Sequence, residues 1–288
     1  MRIFGGIGVL QGKKITVVMP AFNAEKLLAR TIADLDTSII DDVILVDNAS
    51  CDHTVDIARS LGVYVWQHPV NRGFGGNLKQ GYRLALQRGA DIIATVHPDY
   101  QYEPKLVPAM AHLLLTDNYD CVLGCRMTCN GARRGHMPTI RFYGNKVLSA
   151  CINGLTWAGI TEYHTGYRCY TRQVLESLPL AENSDDFVFD IQIILQALAF
   201  GYRFGEISCP TRYMDDASSI SHLKSLKASV ELAYHTLLYR AHQMRVWRRH
   251  RLFSESGQKL LDLAEDQMVG YAVEYDEPSR KEPVAVSV

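Results

Sequence analysis

Four runs of apolar, mostly β-branched residues punctuate the first third of the chain: Ile15-Thr16-Val17-Val18-Met19, Val43-Ile44-Leu45-Val46, Val63-Tyr64-Val65 and Ile92-Ile93-Ala94-Thr95-Val96. Such runs suit strands covered on both faces. Between them lie stretches of helical period with short connections, and repeated strand–helix units of that kind build a largely parallel sheet flanked by helices. The chain is therefore expected to fold as α/β, with its chemistry at the carboxyl ends of the strands, where loops and helix N-termini converge.

The fourth run stops most abruptly. After Val96 come His97-Pro98-Asp99-Tyr100-Gln101, and Pro98 lacks the backbone donor that a longer strand needs. Asp99, Gln101 and His97 are candidate ligands for a hard divalent cation. The first run turns through Pro20-Ala21-Phe22-Asn23 into a helix that Asn23 is expected to cap, with Leu27, Leu28, Thr31, Ile32 and Leu35 as its buried stripe. The second ends on Asp47-Asn48-Ala49-Ser50-Cys51-Asp52, ahead of a helix from Thr54 to Leu61 that Gly62 stops. Asn71-Arg72-Gly73-Phe74-Gly75-Gly76-Asn77 precedes a helix from Leu78 to Arg88, ended by Gly89. Glycines so placed let backbone amides approach an anion, or form no more than a turn. Their spacing is neither the dinucleotide fingerprint nor a Walker loop.

Further on, Glu103 to Leu115 reads as a helix with Pro104 in its first turn, and Cys121 to Arg126 as a strand. Met127 to Pro138 reads as a basic loop without regular period, either a cover for anionic substrate or a solvated connection. A helix is expected from Ile140 to Leu155. Ser184-Asp185-Asp186-Phe187-Val188-Phe189-Asp190 leads into another over Ile191 to Phe200. Asp185 and Asp186 suit its N-terminus, whereas Asp190, beside two phenylalanines, needs a partner or a task. Past Arg212, Leu223, Leu226, Val230, Tyr234, Leu237 and Leu238 recur at helical spacing, and Arg240, Arg245, Arg248, Arg249 and Arg251 crowd the end. A helix packed on the main domain is the simpler account; an interfacial helix near anionic lipid is the other. The expected organisation is an N-terminal extension over 1–13, an α/β domain over 14–220, a helical segment over 221–255 and a polar, flexible tail over 256–288.

Thirty basic against 31 acidic residues, a formal charge of −1, exclude a general nucleic-acid binder. Seven cysteines, an odd number, suit reduced thiols in the cytoplasm; Cys121, Cys125 and Cys129 recur every fourth residue and miss the spacing of zinc sites. No apolar run reaches the length of about 20 residues that a spanning helix needs, and the N-terminus lacks a signal-peptide layout. A cytoplasmic protein is expected, soluble or peripheral on the inner face of the membrane, with homo-oligomerisation left open.

Six motifs, in order, resemble those of the family-2 inverting glycosyltransferases of the GT-A fold, close to the polyprenyl-phosphate (dolichol-phosphate) sugar synthases. They are Val17-Val18-Met19-Pro20-Ala21-Phe22-Asn23, Val46-Asp47-Asn48-Ala49-Ser50-Cys51-Asp52, Asn71-Arg72-Gly73-Phe74-Gly75-Gly76-Asn77, His97-Pro98-Asp99-Tyr100-Gln101, His164-Thr165-Gly166-Tyr167-Arg168 and Asp186-Phe187-Val188-Phe189-Asp190. The resemblance covers about Ile15 to His222. It implies a GT-A sheet with a C-terminal helical extension, a GDP- or UDP-sugar donor, a polyprenyl-phosphate or glycan acceptor, and Mg²⁺ or Mn²⁺. By the same matches Pro20, Phe22 and Asp47 contact base or ribose with Arg72 near them, Asp99 holds the cation with Gln101, and Arg168 and Asp190 are catalytic. Arg212 is also expected among the substrate-binding residues. One departure stands out: the family commonly has Asp-x-Asp where this chain has His97-Pro98-Asp99, and His is a softer ligand for magnesium.

Attack at the anomeric carbon, opposite the departing nucleoside diphosphate, builds negative charge that a cation and basic groups stabilise. Arg168 is expected in that role, assisted by Arg133, Arg134 or Arg141. A hydroxyl acceptor needs Asp190 as general base, whereas a polyprenyl phosphate is already anionic. Two other classes remain: a sugar-phosphate nucleotidyltransferase, which normally carries a glycine-rich basic loop where this chain has Pro20-Ala21-Phe22-Asn23, and a non-catalytic nucleotide-sugar-binding protein.

Overall fold

The four apolar runs become neighbouring strands of one sheet in a computed structural model that describes residues 10–212, 222–246, 250–264 and 270–273. They are β1 (Ile15–Ala21), β2 (Asp42–Asp47), β3 (Tyr64–Gln67) and β4 (Ile92–Thr95), all mutually parallel where they pair. With β5 (Cys121–Cys125), β6 (Arg168–Thr171), β7 (Phe204–Ser208) and β8 (Tyr271–Val273) the order is β7-β5-β6-β4-β1-β2-β3-β8. The expected parallel character is broken in the second half. β6 runs antiparallel between β4 and β5, placing Arg168 opposite Thr95 and Leu123, and β8 runs antiparallel along β3. The sheet is therefore mixed.

Nine α-helices occupy the described residues: α1 (Glu25–Ala33), α2 (Thr54–Ser60), α3 (Gly73–Gln87), α4 (Val107–Leu114), α5 (Gly131–Arg134), α6 (Thr139–Thr156), α7 (Arg172–Ser177), α8 (Phe189–Ala199) and α9 (His222–Gln243). Successive strand residues point to opposite faces, and both faces are covered. Ile15, Val17 and Met19 of β1 pack with Leu28 and Ile32 of α1 and with Val107, Met110 and Ala111 of α4. Val18, Ile44, Val46 and Ile93 pack on the other side with Leu78, Tyr82 and Ala85 of α3 and Phe189 of α8. That double burial is why the strands lack polar alternation. A third cluster joins Ile152 of α6, Leu195 of α8, and Leu232, Leu238 and Tyr239 of α9.

Several boundaries differ from expectation for identifiable reasons. Gly62 and Gly89 take positive φ of 70° and 81° just after α2 and α3, as their stop roles require. Asn23 does not cap α1. It adopts φ 50° and its Oδ1 accepts from the Cys51 amide at 2.9 Å, while Thr54 Oγ1 and Asp52 Oδ2 accept from the amides of Ala24 (2.7 Å) and Glu25 (3.1 Å). The first helix is thus capped by the loop after β2. The basic stretch after β5 contains a short 3₁₀ turn (Thr128–Asn130) and α5 in place of an irregular loop, with Ala132 buried. Residues 257–263, expected in a flexible tail, pack instead: Leu260 is buried, Gln258 O accepts from the Ala181 amide, and Leu263 O accepts from Arg83. The expectations on Asp215 to Ser219, the side chains of Leu223 and Leu226, and Arg248 and Arg249 fall outside the described residues.

Close approach of α3 to the sheet depends on Gly81, where a Cβ would lie 2.4 Å from Val18 Cγ1 and 3.3 Å from Val46 Cγ2. Gly81→Ala is expected to destabilise the fold by about 1–3 kcal/mol through overpacking. A fall in the urea midpoint at unchanged m value checks it.

Candidate active site

The carboxyl ends of β1, β2 and β4 form one edge of the sheet, and most of the residues singled out by sequence lie along it. Pro20 is buried inside β1, and Phe22, just past the strand, is 52% exposed at the rim. Asp47 closes β2 fully buried; its Oδ2 accepts from the Ser50 amide (3.1 Å) and Gln67 Nε2 (3.3 Å), and its Oδ1 has no hydrogen-bond partner among the described residues. Next to it, Asn48 fastens the approach to α3: its Nδ2 donates to Asn71 Oδ1 (3.0 Å) and Gly73 O (3.2 Å), and its Oδ1 accepts from the Arg72 amide (2.7 Å). Arg72 itself is exposed beside this edge.

The glycines after Arg72 do not form an anion cradle. Gly73 begins α3, and the amides of Gly75 and Gly76 both donate to Asp185 O, at 2.8 and 3.2 Å. A Cβ on Gly73 would sit 2.2 Å from that carbonyl, and one on Gly75 would sit 2.4 Å from Ser184 O. The glycines are needed for backbone-to-backbone packing against the approach to α8, which takes the amides an anion would have used. Lys79 secures the same contact by donating to Asn183 O and pairing with Asp185 at 2.8 Å. Asp185, expected at the α8 N-terminus, serves α3 instead.

Arg168 also departs from its expected place. It is 1% exposed, with Nε donating to Thr165 O (2.7 Å), Nη2 to Tyr163 O (3.2 Å) and Nη1 to Asp190 O; the same Nη1 pairs with Asp190 Oδ1 at 3.3 Å. The guanidinium holds the segment before β6 against the first turn of α8. Asp190 has its carboxyl raised above the ordinary range by burial, against the opposing pull of Arg168, His97 and Arg126. A carboxyl perturbed this way suits proton transfer. Glu162 is fully buried and accepts from the Arg126 amide (2.8 Å) and Arg126 Nε (2.6 Å). This pair has no motif; its one signal is that Glu162 is the first acid after Asp120.

Five rings line the floor between α3, β4 and β6. Phe187 stacks on Phe74 (5.2 Å between centroids), Phe74 on His97 (5.7 Å), His97 meets Tyr102 (5.8 Å), and Tyr102 stacks on Tyr167 (5.4 Å). His97 belongs to this stack. Its Nε2 is buried and lies so close to Gly166 that a Cβ there would be 2.4 Å away. That nitrogen faces the chain leading to β6, so the expected imidazole ligand is turned into packing. Asp99 is exposed and gives Oδ1 to the Gln101 amide at 3.1 Å, an Asx turn that sets the loop. Tyr100, at φ 55°, lies between the guanidinium groups of Arg30 (4.2 Å) and Arg212 (4.6 Å). Arg212 pairs with Glu103 at 2.6 Å, and its amide donates to Gln101 O.

Among the described residues no group of three His, Cys, Asp or Glu side chains is gathered to cage a metal. A single exposed carboxylate suits Mg²⁺ or Mn²⁺ of another kind, one that draws most of its shell from phosphate oxygens and water.

The glycosyl transferase family 2 model matches residues 16–178, from β1 into α7. The chain belongs to that family. Among its relatives, a UDP-N-acetylglucosamine–dolichyl-phosphate N-acetylglucosaminyltransferase of Methanococcus voltae is 25% identical over 220 residues, covering 70% of this chain and 87% of the relative. An undecaprenyl-phosphate mannosyltransferase of Micrococcus luteus is 26% identical over 212 residues, covering 67% and 82%. Among solved structures, glucosyl-3-phosphoglycerate synthase of Mycobacterium tuberculosis, crystallised with Mn²⁺, UDP and glucosyl-3-phosphoglycerate, superposes with a TM-score of 0.59 at 21% identity, covering 81% of this chain and 82% of that one. The fold of this family-2 glycosyltransferase is GT-A, and its likeness to polyprenyl-phosphate sugar transferases agrees with the ordered motifs.

His164, next to the buried Arg126–Glu162 pair, has its pKa lowered to about 4 by burial, with Glu162 opposing and Arg126 and Arg168 reinforcing the shift. The folded protein keeps this ring neutral while the unfolded chain protonates it below its ordinary value of about 6.5. Stability is therefore lost as pH falls from about 6.5 to about 4, by on the order of 3 kcal/mol at most, and no further below that. In His164→Asn the fall in urea midpoint across that window is expected to be shallower than in the wild type.

Proposed function

We propose that this glycosyltransferase moves a sugar, with inversion, from a nucleoside-diphosphate donor to a polyprenyl phosphate with the help of Mg²⁺ or Mn²⁺. One observation carries the reading. The chain at or just past the ends of the strands on either side of β1 carries two carboxylates of opposite character: Asp47, the last residue of β2, buried with an oxygen that has no partner among the described residues, and Asp99, in the loop after β4, exposed. The first suits a neutral donor such as a base N–H or ribose hydroxyl; the second suits a cation. A nucleoside diphosphate spanning that edge satisfies both. Phe22 at the rim and Arg72 at the start of α3 would flank the nucleoside.

Asp99 would hold the cation, with the Gln101 side chain as a further ligand, and the bound cation would neutralise charge on the leaving diphosphate. Arg212 lies beside Gln101, and its Nη1 is buried with no partner among the described residues. It is the basic group best placed to help the phosphates, the part earlier expected of Arg168. Asp190 would face the acceptor. A hydroxyl would need it as a base. A phosphate monoester carries at most one proton near its second pKa of about 6, and a carboxyl raised by burial is suited to hold that proton. The named activities of the Methanococcus voltae and Micrococcus luteus relatives favour the lipid phosphate. Among the described residues no helix is long and apolar enough to cross a membrane. The proposed place of the reaction is the inner, cytoplasmic face.

Release of nucleoside diphosphate from a panel of UDP- and GDP-sugars, with a short-chain polyprenyl phosphate and Mn²⁺, tests the proposal. Turnover is expected with one donor, and Asp99→Ala should lower it by about 100-fold or more. Release of pyrophosphate, or turnover indifferent to Asp99→Ala, would contradict it.

A further inference from the structure

We infer that α6 and α9 together form a face that seats the protein on an anionic bilayer surface. Large apolar side chains are exposed along both helices at helical spacing: Ile140 (86%), Tyr143 and Val147 on α6, with Trp157 (76%) at its end, and Val230, Tyr234, Leu237 and Met244 on and just past α9. These eight are more than half of the fourteen large apolar residues exposed among the described ones. The helices lie side by side. Their inner faces share one apolar cluster, and the Arg240 guanidinium lies 4.7 Å over the Trp157 ring. An apolar stripe of this kind normally points into a core; here it points to solvent.

Charge selects the occupant. Residues 121–161 and 221–254 contain twelve Lys and Arg and one acid, Glu231, while the rest of the chain holds eighteen basic and thirty acidic residues. The near-neutral total therefore hides a cationic stretch of sequence, and of its described members Arg133, Arg134, Arg141, Lys146, Arg240 and Arg245 lie on α5, α6 and α9 or just past them, beside the apolar stripes. On α6, Lys146 lies 4.7 Å over Phe142, and Arg133 donates to the hydroxyl of exposed Tyr143 at 2.8 Å, so cations border the stripe. A second copy would bring like charge against like charge. An anionic lipid surface offers apolar depth for the stripe and negative headgroups for its border. The inference gives the polyprenyl-phosphate reading its geometry, but it stands on exposure and charge and can fail or hold by itself.

Co-sedimentation of the full chain with vesicles of phosphatidylcholine alone, or of phosphatidylcholine with phosphatidylglycerol, tests it. Binding is expected only to the anionic vesicles and should weaken with salt. Val147→Ser/Leu237→Ser should abolish it, and Lys146→Gln/Arg240→Gln should weaken it by about fivefold for each cation removed. Val147, Leu237 and Lys146 are exposed and Arg240 is half-buried over an exposed ring, so circular dichroism and the melting temperature should match the wild type. Nucleoside diphosphate release by hydrolysis of the donor in lipid-free solution should also be unchanged, which separates failure of the docking face from failure of the transferase reading. Absence of vesicle binding, equal binding to neutral vesicles, or a dimer in sedimentation velocity that Val147→Ser/Leu237→Ser dissolves would overturn the inference.

Discussion

A buried guanidinium governs the arrangement of the active edge. Arg168 lies within the sheet on a strand that runs against both neighbours, and removing its charge from water is tolerable only because Thr165 O, Tyr163 O and both the carbonyl and carboxylate of Asp190 receive its donors. Those bonds fix the start of α8. The chain just before α8 then offers the Asp185 carbonyl to Gly75 and Gly76, closing the N-terminus of α3, and Asn48 ties the residues before α3 to the end of β2. Hydrogen bonds joined by short stretches of chain thus link β6 to Asn48, next to Asp47. The first turn of α8, the end of β2 and the glycine-rich start of α3 are thereby tied together.

This arrangement shows why some of the molecule was legible in sequence and some was not. Strand and helix periods declared the first half, because β1, β2 and β4 are apolar on both faces, and the residues along their ends were found by position for Asp99 and by the family's motifs for Pro20, Phe22 and Asp47. Asp47 and Asp99 are at those ends as expected. What escaped were contacts between segments distant in the chain. Gly73 and Gly75 looked like an anion turn because a glycine's sequence does not say whether a phosphate or another backbone will approach it; Ser184 and Asp185 do. Arg168 looked like a phosphate ligand, but its donors go to the carbonyls of Thr165, Tyr163 and Asp190 and to the Asp190 carboxylate, pairings that no local pattern declares. His97 looked like a metal ligand because it precedes Asp99, yet its ring packs between Phe74 and Tyr102, residues that no local pattern joins to it. β6 and β8 are short antiparallel additions of four and three residues, too brief to show a period.

Asp47 and Asp99 lie on the edge where a nucleotide and cation would meet, with Arg72 and Arg212 beside it, and further basic groups lie on the helices after β5 and β7. Substituting His97 for the first carboxylate of the family's usual pair removes one negative charge and adds a ring to the floor. On the proposed reading, a cation held by Asp99 would draw most of its shell from the phosphates and would bind well only together with the donor.

A crystal structure of the protein with a nucleoside diphosphate and Mn²⁺ tests the central claim most directly. The account predicts manganese between the Asp99 carboxylate and the two phosphates, a nucleoside donor on Asp47 Oδ1, and an Arg168 guanidinium still bound to Thr165 and Asp190. Manganese held away from Asp99, or Arg168 swung out onto the diphosphate, would contradict it.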